Sequence, residues 1–390
     1  MTIYLDNHAT TRIDPSVIEI MVAFMESHYA NPGSTTHEAG REASRIVAAS
    51  SHQIAQFLNA ADDEMIVTSG ATESNNLALF GVALHPKQVR RRIVSAITEH
   101  RAILDPLLRL ERQGFEIVRL PVFQNGHPMA GGVNLDQLAE SINENTALVT
   151  IMLANNEIGT IQPIHEISKL CKRFDVPLHT DASQAIGRIP VDVQALGVDL
   201  LSFAAHKFYG PKGIGGLFVR QSPDPVRLYA QIVGGGQQWN LRSGTLNSVG
   251  IIGMAKAMSV CSEMMGSEMQ EQIRLRDLLW ELLNQGIYGL TKNGPTQECT
   301  ILPNNLNVCF PKVDGQSLML KLPELAVSSG SACTSFEPHP SHVLLALGLT
   351  EDQARASLRF GLGRFNTEAE IRHVAKAISF AHASLVSFAA

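Results

Sequence analysis

The sequence is short of cysteine, of net positive charge and of long apolar runs, and each shortage removes a class of function. Only five of its 390 residues are cysteine, at 171, 261, 299, 309 and 333, with no Cys-x-x-Cys pair among them. An odd number cannot all pair within one chain, so reduced thiols are expected rather than a disulfide framework. Lys and Arg number 31 against 37 Asp and Glu, for a net charge of −6 and a pI near 6.2. That balance lacks the basic surface that direct contact with nucleic acid requires. The one basic cluster, Lys87, Arg90, Arg91 and Arg92, reads as a solvated helix end. No uncharged apolar run approaches the roughly 20 residues that cross a bilayer. The start, Met1-Thr2-Ile3-Tyr4-Leu5-Asp6, has no basic stretch leading into an apolar one, unlike a secretory leader. A cytoplasmic location without a membrane partner is the expectation.

What is present fits a globular enzyme of two domains. The chain is about twice a typical domain length, and 45% of its residues are hydrophobic, enough for a large core. The middle alternates short β-rich runs with helical patterns, which predicts a parallel sheet covered by helices. Strands are predicted at 65–68, 92–95, 147–153, 176–179, 200–203 and 216–219. After Val249 longer helices are predicted, at 254–265 and 269–283, followed by mixed α/β sequence, and the change marks a second, smaller domain. No internal repeat or low-complexity linker stands out.

Chemistry concentrates at the predicted strand ends. Thr68-Ser69-Gly70-Ala71-Thr72-Glu73-Ser74-Asn75-Asn76 is a small-residue turn feeding a helix with Leu77, Phe80, Gly81 and Leu84 on one face. Such a turn presents backbone N–H groups and a helix dipole to a phosphate, or is an ordinary N-cap. Asp181, in His179-Thr180-Asp181-Ala182-Ser183-Gln184, stands where open α/β sheets carry ligands; it can pair with a pyridine nitrogen or cap the next helix. Lys207, in Ala205-His206-Lys207-Phe208-Tyr209-Gly210-Pro211-Lys212-Gly213, follows another strand, and one βαβ unit would set it beside Asp181. Taken alone it is a surface lysine; with Asp181 it can hold an aldehyde cofactor as a Schiff base. The glycines at 210, 213, 215 and 216 say that the backbone approaches something closely, and they fit neither the Walker pattern nor Gly-x-Gly-x-x-Gly. Cys333, in Ser329-Gly330-Ser331-Ala332-Cys333-Thr334-Ser335, is a thiol among small residues, suited to nucleophilic attack. Lys207 and Cys333 together point to pyridoxal phosphate (PLP) chemistry with a cysteine nucleophile. His100 can stack on a cofactor and move protons. Asn156 can hydrogen-bond cofactor or substrate, and Arg359 or Arg364 can hold a carboxylate bidentately. Each also has a plain reading as a satisfied buried polar group or, for the arginines, an ion pair.

In these stretches, and in Tyr4-Leu5-Asp6, Ala9-Thr10-Thr11, Asn31-Pro32, Asn155 to Gly159, Arg242 to Thr245 and Arg359 to Arg364, the chain closely resembles the cysteine desulfurases of the class V aminotransferase family. The matches follow the family's order over essentially the whole chain. The resemblance implies a PLP-dependent transferase of fold type I, an α/β fold acting as a homodimer. It has a large domain on a mostly parallel seven-stranded sheet at 13–254, and a smaller α/β domain from 1–12 and 255–390 that carries the catalytic cysteine. It also implies roles. Lys207 holds PLP, Asp181 pairs with the pyridine nitrogen, and Gln184 and Asn156 address the phenolic oxygen, with Asn156 also meeting substrate. His100 stacks on the ring and shuttles protons. Ala71, Thr72 and His206 bind phosphate with Thr245 of the partner subunit. Arg359 receives the substrate carboxylate, and no residue is assigned to a metal. The implied reaction takes sulfur from L-cysteine, leaving L-alanine and a persulfide on Cys333 for a protein acceptor such as an iron–sulfur scaffold.

The chain departs from the family's pattern in three places. Ala204 stands where many relatives have a phosphate-binding serine. Phe336-Glu337-Pro338-His339-Pro340-Ser341-His342 and Gln237-Gln238-Trp239-Asn240 replace more usual stretches, which bears on the acceptor rather than the chemistry. A PLP lyase on the same scaffold, or a non-catalytic dimeric scaffold, are the rival functions; the second would be expected to lose Lys207 or Asp181, and both are present.

Overall fold

The computed structural model describes residues 2–329 and 339–389. Seven strands form its main sheet, in the order Met65–Thr68, Gly215–Val219, Leu200–Ala204, Leu178–Asp181, Thr146–Thr150, Arg92–Ala96, Glu116–Leu120. Gly215–Val219 is antiparallel to both neighbours and every other pairing is parallel. Six strands therefore point their carboxyl ends at one edge, where open α/β sheets carry their ligands. The central strands are buried on both faces, as helix-covered parallel strands must be, and the polar His179 and Thr180 among them are hydrogen-bonded to Thr150, Ser202 and the Ile151 carbonyl.

Differences from the sequence reading have local causes. Glu116–Leu120 was not anticipated because Glu116 and Arg119 break its apolar pattern; it is an edge strand, formed by parallel pairing to Arg92–Ala96. The predicted 176–179 strand runs from Leu178 to Asp181, since Pro177 has no N–H to give a central ladder. Asp181 thus ends the strand rather than following it. Helix Ala71–Ala83 is buried on almost every side, with Leu77 through Ala83 all covered, because it lies between the sheet and helix Arg101–Glu111. The basic cluster is no helix end. Arg92 opens a strand and pairs with Glu116 at 2.7 Å, Arg90 donates to the Asp175 carbonyl at 2.6 Å, and the Arg91 guanidinium lies 4.8 Å from the Phe115 ring centre.

The two helices predicted at 254–265 and 269–283 are one, Ser248–Gly286, 39 residues long. Gly266 costs such a helix about 1 kcal/mol relative to alanine, and packing at both ends outweighs it. Ile251, Met254, Met258 and Cys261 join the core under the main sheet, whereas Leu275, Leu279 and Leu283 join a second core with Leu5, Phe310, Phe360 and Val374. Over that second core lies an antiparallel sheet ordered Ser357–Gly361, Asn305–Cys309, Thr291–Lys292. No helix among the described residues is long and apolar enough to cross a membrane.

Two polar seams join the cores. In the first, the N-terminal segment pairs Ile3–Tyr4 with Leu325–Ala326 and then crosses to the main sheet, where Thr11 and Asp14 donate their N–H groups to the His206 and Tyr209 carbonyls at 2.9 and 3.0 Å. In the second, Glu157 sits buried in the 155–159 turn. It accepts from Ser341 Oγ at 2.5 Å, and its carbonyl accepts from Asn305 and Asn307 at 3.2 and 3.1 Å. Burial pushes the Glu157 carboxyl up to about 7 against the opposing pull of Ser341 and Arg359.

Two tests follow from these elements. At Gly266 an added Cβ would meet nothing within 4 Å, whereas at Gly253 it would lie 2.6 Å from Met21 Sδ. Gly266→Ala is therefore expected to stabilise the protein by about 0.5–1 kcal/mol and Gly253→Ala to destabilise it, read from urea midpoints. Destabilisation by Gly266→Ala would contradict a continuous helix. For Glu157, the folded state binds the proton more tightly than the unfolded chain. Its burial is therefore without electrostatic penalty below the unfolded value near 4.5, and stability is lost as pH rises through about 7. Glu157→Gln keeps an acceptor for Ser341, so its Tm relative to the parent is expected to climb between about pH 5 and pH 8. A pH-independent difference would mean that the carboxyl is already ionised at the acid end.

Candidate active site

A cavity of about 430 Å³ opens at the carboxyl edge of the main sheet, and its wall collects His8, Ala71, Thr72, His100, Asn156, Asp181, Gln184, His206, Lys207 and Arg359. These residues come from distant parts of the sequence and meet because their strands end side by side. Thr68 leads through Gly70 into helix Ala71–Ala83. Gly70 has φ 150° and, lacking a side chain, leaves the helix's first N–H groups without a side-chain cap. Uncapped N–H groups at a helix start suit a phosphate. The glycines of the 210–216 segment serve mainly the protein's own packing. A Cβ at Gly215 would lie 2.2 Å from the Phe203 carbonyl and 2.8 Å from Gly70 Cα, and one at Gly216 2.4 Å from the Phe203 ring. Only Gly213, with φ 78°, lines the cavity.

Lys207 ends a short turn after strand Leu200–Ala204, and its Nζ donates to the His8 and Ala9 carbonyls at 2.6 and 2.9 Å. Asp181 caps no helix, because a turn follows its strand; there its Oδ1 accepts from Ser183 N at 2.9 Å, while Oδ2 accepts from Asn75 Nδ2 at 2.7 Å and the residue lines the cavity. His100 caps helix Arg101–Glu111 through Nδ1, which accepts from Ala102 N at 3.1 Å, so its neutral form carries the proton on Nε2. Burial lowers its pKa, partly offset by Asp181. His206 shares a hydrogen bond between Nδ1 and Thr10 Oγ1 at 3.1 Å, and burial followed by Lys207 and Lys212 brings its pKa down to about 4.

Arg359, 3% exposed, donates to Asp6 Oδ1 at 2.7 Å and to the Asn156 carbonyl at 2.9 Å, while its Nε has no partner among the described residues. A buried unpartnered guanidinium N–H beside a cavity fits a carboxylate ligand. Arg364, the other candidate, is committed to Asp14 and Glu268. Thr245 is exposed and lies away from this chain's cavity. Cys333 lies outside the described residues. Of the other cysteines, Cys171, Cys261 and Cys309 are buried and Cys299 is exposed, and burial pushes Cys171 up to about 12 and Cys261 to about 11. Two wall residues were missed in the sequence. Lys212 looked like part of a glycine loop, and His8 lies in an N-terminal segment whose return to the site only the fold reveals.

The donor set fits PLP: uncapped helix N–H groups for a phosphate, a lysine amine, an aspartate at the end of the neighbouring parallel strand and an imidazole. Residues 3–374 match the Aminotransferase class-V family. The chain is 46% identical over 381 residues to the cysteine desulfurase IscS of Aeromonas salmonicida, covering 97% of this chain and 92% of that protein, and 45% identical over 383 residues to that of Vibrio campbellii, covering 98% and 93%. Among solved structures, a NifS-like protein superposes with TM-score 0.90 at 36% identity, covering all of both chains. SspA in complex with cysteine superposes with TM-score 0.80 at 31% identity, covering 94% of this chain and 100% of that one. With its strand-end lysine and aspartate facing one cavity, the chain belongs to the class-V aminotransferase family, on the branch of the cysteine desulfurases.

Proposed function

We propose that the protein is a PLP-dependent cysteine desulfurase that takes sulfur from L-cysteine, releases L-alanine and carries the sulfur as a persulfide on Cys333. The observation that carries this reading is the convergence of Lys207, Asp181 and His100 on one cavity beside the uncapped Gly70 turn. The IscS relatives and the cysteine-bound SspA neighbour support the substrate.

Lys207 would hold PLP and Asp181 would face its pyridine nitrogen. Gln184 and Asn156 would address the phenolic oxygen. The first N–H groups at Ala71 and Thr72, with His206 and with Thr245 of the partner subunit, would bind the phosphate. When bound, PLP supplies an electron sink for charge developing at the substrate's Cα. Arg359, in the cavity wall, would orient the substrate carboxylate, and Asn156 would meet the substrate beside it. His100, with its pKa lowered and its neutral form protonated at Nε2, would stack on the ring and move protons there. The Cys333 thiolate then attacks the substrate sulfur: an S–S bond forms as the Cβ–S bond breaks, and the carbon fragment leaves as alanine after taking a proton. Ala204 offers no hydroxyl to the phosphate, so one hydrogen bond is absent unless water replaces it.

The same reading includes a homodimer, supported by exposed Tyr229, Val233 and Trp239 near the Thr245 segment. It includes a cytoplasmic location and a protein acceptor such as an iron–sulfur scaffold, a role in keeping with the relatives' name. It divides the chain into a large domain at 13–254 and a small one from 1–12 and 255–390; Leu5, Leu275, Phe310 and Phe360 in a core of their own support the division, whereas Cys261, Leu302, Val343 and Leu347 pack into the first core.

Lys207→Ala is expected to abolish both the visible absorption of the PLP-loaded protein and multiple turnover; a variant keeping both would sink the assignment. Asp181→Asn is expected to lower kcat far more than cofactor retention, and an unchanged kcat would reduce Asp181 to a cap. Cys333→Ser is expected to bind cofactor and cysteine yet accumulate no persulfide and form little alanine. Mass spectrometry of the parent after incubation with L-cysteine locates the added sulfur, and finding it on Cys171, Cys261, Cys299 or Cys309 would overturn the mechanism.

A further inference from the structure

Gln184 and Lys207 share a neighbour to which none of the roles above is given. His8 is 1% exposed and lines the cavity. Gln184 Nε2 donates to the His8 carbonyl at 2.9 Å. Only the amide nitrogen can donate to a carbonyl, so the orientation of the Gln184 amide is set, and its Oε1 faces His8 Nδ1 at 2.9 Å. Two acceptors cannot bond, so Nδ1 carries a proton.

The other ring nitrogen gives the same answer from the opposite side. Asn305 Nδ2 donates to the Glu157 carbonyl at 3.2 Å, which sets that amide too, and the same Nδ2 meets His8 Nε2 at 3.1 Å. Nε2 is therefore the acceptor. Partners from two different sheets select one neutral tautomer, and burial followed by the nearby Arg359 charge disfavours a second proton. The residue is also fixed in place, because a Cβ at Gly361 would lie 2.7 Å from His8 Cδ2 and 2.9 Å from its N.

This arrangement occupies Gln184 Oε1 and one of its two N–H bonds, and leaves the second N–H to be offered elsewhere. The His8 carbonyl meanwhile accepts from Lys207 Nζ at 2.6 Å. We infer that His8 is a positioning residue for this site: its Nδ1–H and carbonyl lock the Gln184 amide as a hydrogen-bond donor and hold that donor in fixed relation to Lys207. The inference rests on the PLP reading, in which that donor meets the phenolic oxygen. Without the lock the amide can turn over and set its own oxygen against a phenolate. Through Asn305, the tautomer also depends on the small sheet being docked.

Two measurements test it, and the first needs no cofactor. In protein labelled with [15N]histidine, with His8→Phe identifying the signals, His8 is expected to show a protonated Nδ1, a bare Nε2 and no titration between about pH 5 and pH 8. A protonated Nε2, or a ring that titrates in that range, overturns the inference. The second follows the visible absorption of the PLP-loaded protein against pH in the parent, His8→Phe, Gln184→Ala and the double variant. Losing a donor to a phenolate raises its proton affinity, so the midpoint is expected to rise by about one unit in His8→Phe. Gln184→Ala should give a similar rise and the double variant no further one, because the two residues act as a unit. An unshifted midpoint in His8→Phe, or additive shifts, overturns the inference. His8→Asn takes the place of His8→Phe if the larger ring prevents folding. A parent protein with no visible band at all would instead defeat the PLP reading, and the tautomer measurement would still stand.

Discussion

Two buried arginines near the C-terminal strand clamp the N-terminal segment, and the cavity depends on that clamp. Arg359 bonds Asp6 at 2.7 Å and Arg364 bonds Asp14 at 2.6 Å, with side-chain exposures of 3% and 6% for the two arginines. Between these pairs the chain supplies the carbonyls of His8 and Ala9 to Lys207, and Thr11 Oγ1 accepts from Tyr209 N at 2.7 Å. The Arg364 guanidinium also stacks 4.1 Å from the Tyr209 ring centre. Such pairs add little net stability over apolar groups of the same shape, but removing one partner strands a charge at a cost of about 3–5 kcal/mol. Their effect here is on register: a slipped N-terminal segment would leave Arg359 buried without a carboxylate and Arg364 with Glu268 alone.

The clamp also shapes the charge of the cavity. His8, His100 and His206 all have their pKa values lowered, chiefly by burial, so the wall is rich in imidazole that adds hydrogen bonds and little charge. Glu99, fully buried behind His100, is pushed the other way, its pKa well above the usual carboxylate range because of burial. Among the described residues, the formal charges lining the cavity are those of Lys207, Lys212 and Arg359 against Asp181 and Glu73, the last of these paired with Arg242. That excess of positive charge in a water-poor space favours a ligand with two anionic groups, which PLP carrying an amino acid would be.

Two of the three departures from the family's pattern, Ala204 and the 237–240 stretch, have local structural accounts. Ala204 is 2% exposed at its strand end, so phosphate recognition would lean on backbone N–H groups at the Gly70 turn and on Lys212. In the 237–240 stretch, Gln238, Trp239 and Asn240 take φ values of 48°, 60° and 61° in succession. Such conformations are costly for residues with a Cβ and persist where the surroundings enforce them. Gln238 shows how: its amide accepts from Val67 N at 2.6 Å and donates to Val67 O at 2.7 Å, closing the edge of the main sheet as another strand would.

The linear sequence by itself determined the sheet's apolar strands, the glycine turn at 70 and the strand-end positions of Asp181 and Lys207, because these rest on patterns within a few residues. It also carried the family resemblance, which runs through motifs contiguous in the chain. Three things were decided only by tertiary structure. Glu116–Leu120 is a strand because a neighbour's ladder makes it one, and the helix Ser248–Gly286 runs through Gly266 because cores at both ends hold it. Which of Arg359 and Arg364 reaches the cavity is the third: the two are alike in sequence, and only the fold ties Arg364 to Asp14 and Glu268 and sets Arg359, paired with Asp6, in the cavity wall. The physical reason is common to all three, since pairing, packing and charge neutralisation join residues from 24 to 350 positions apart and leave no periodic trace along the chain.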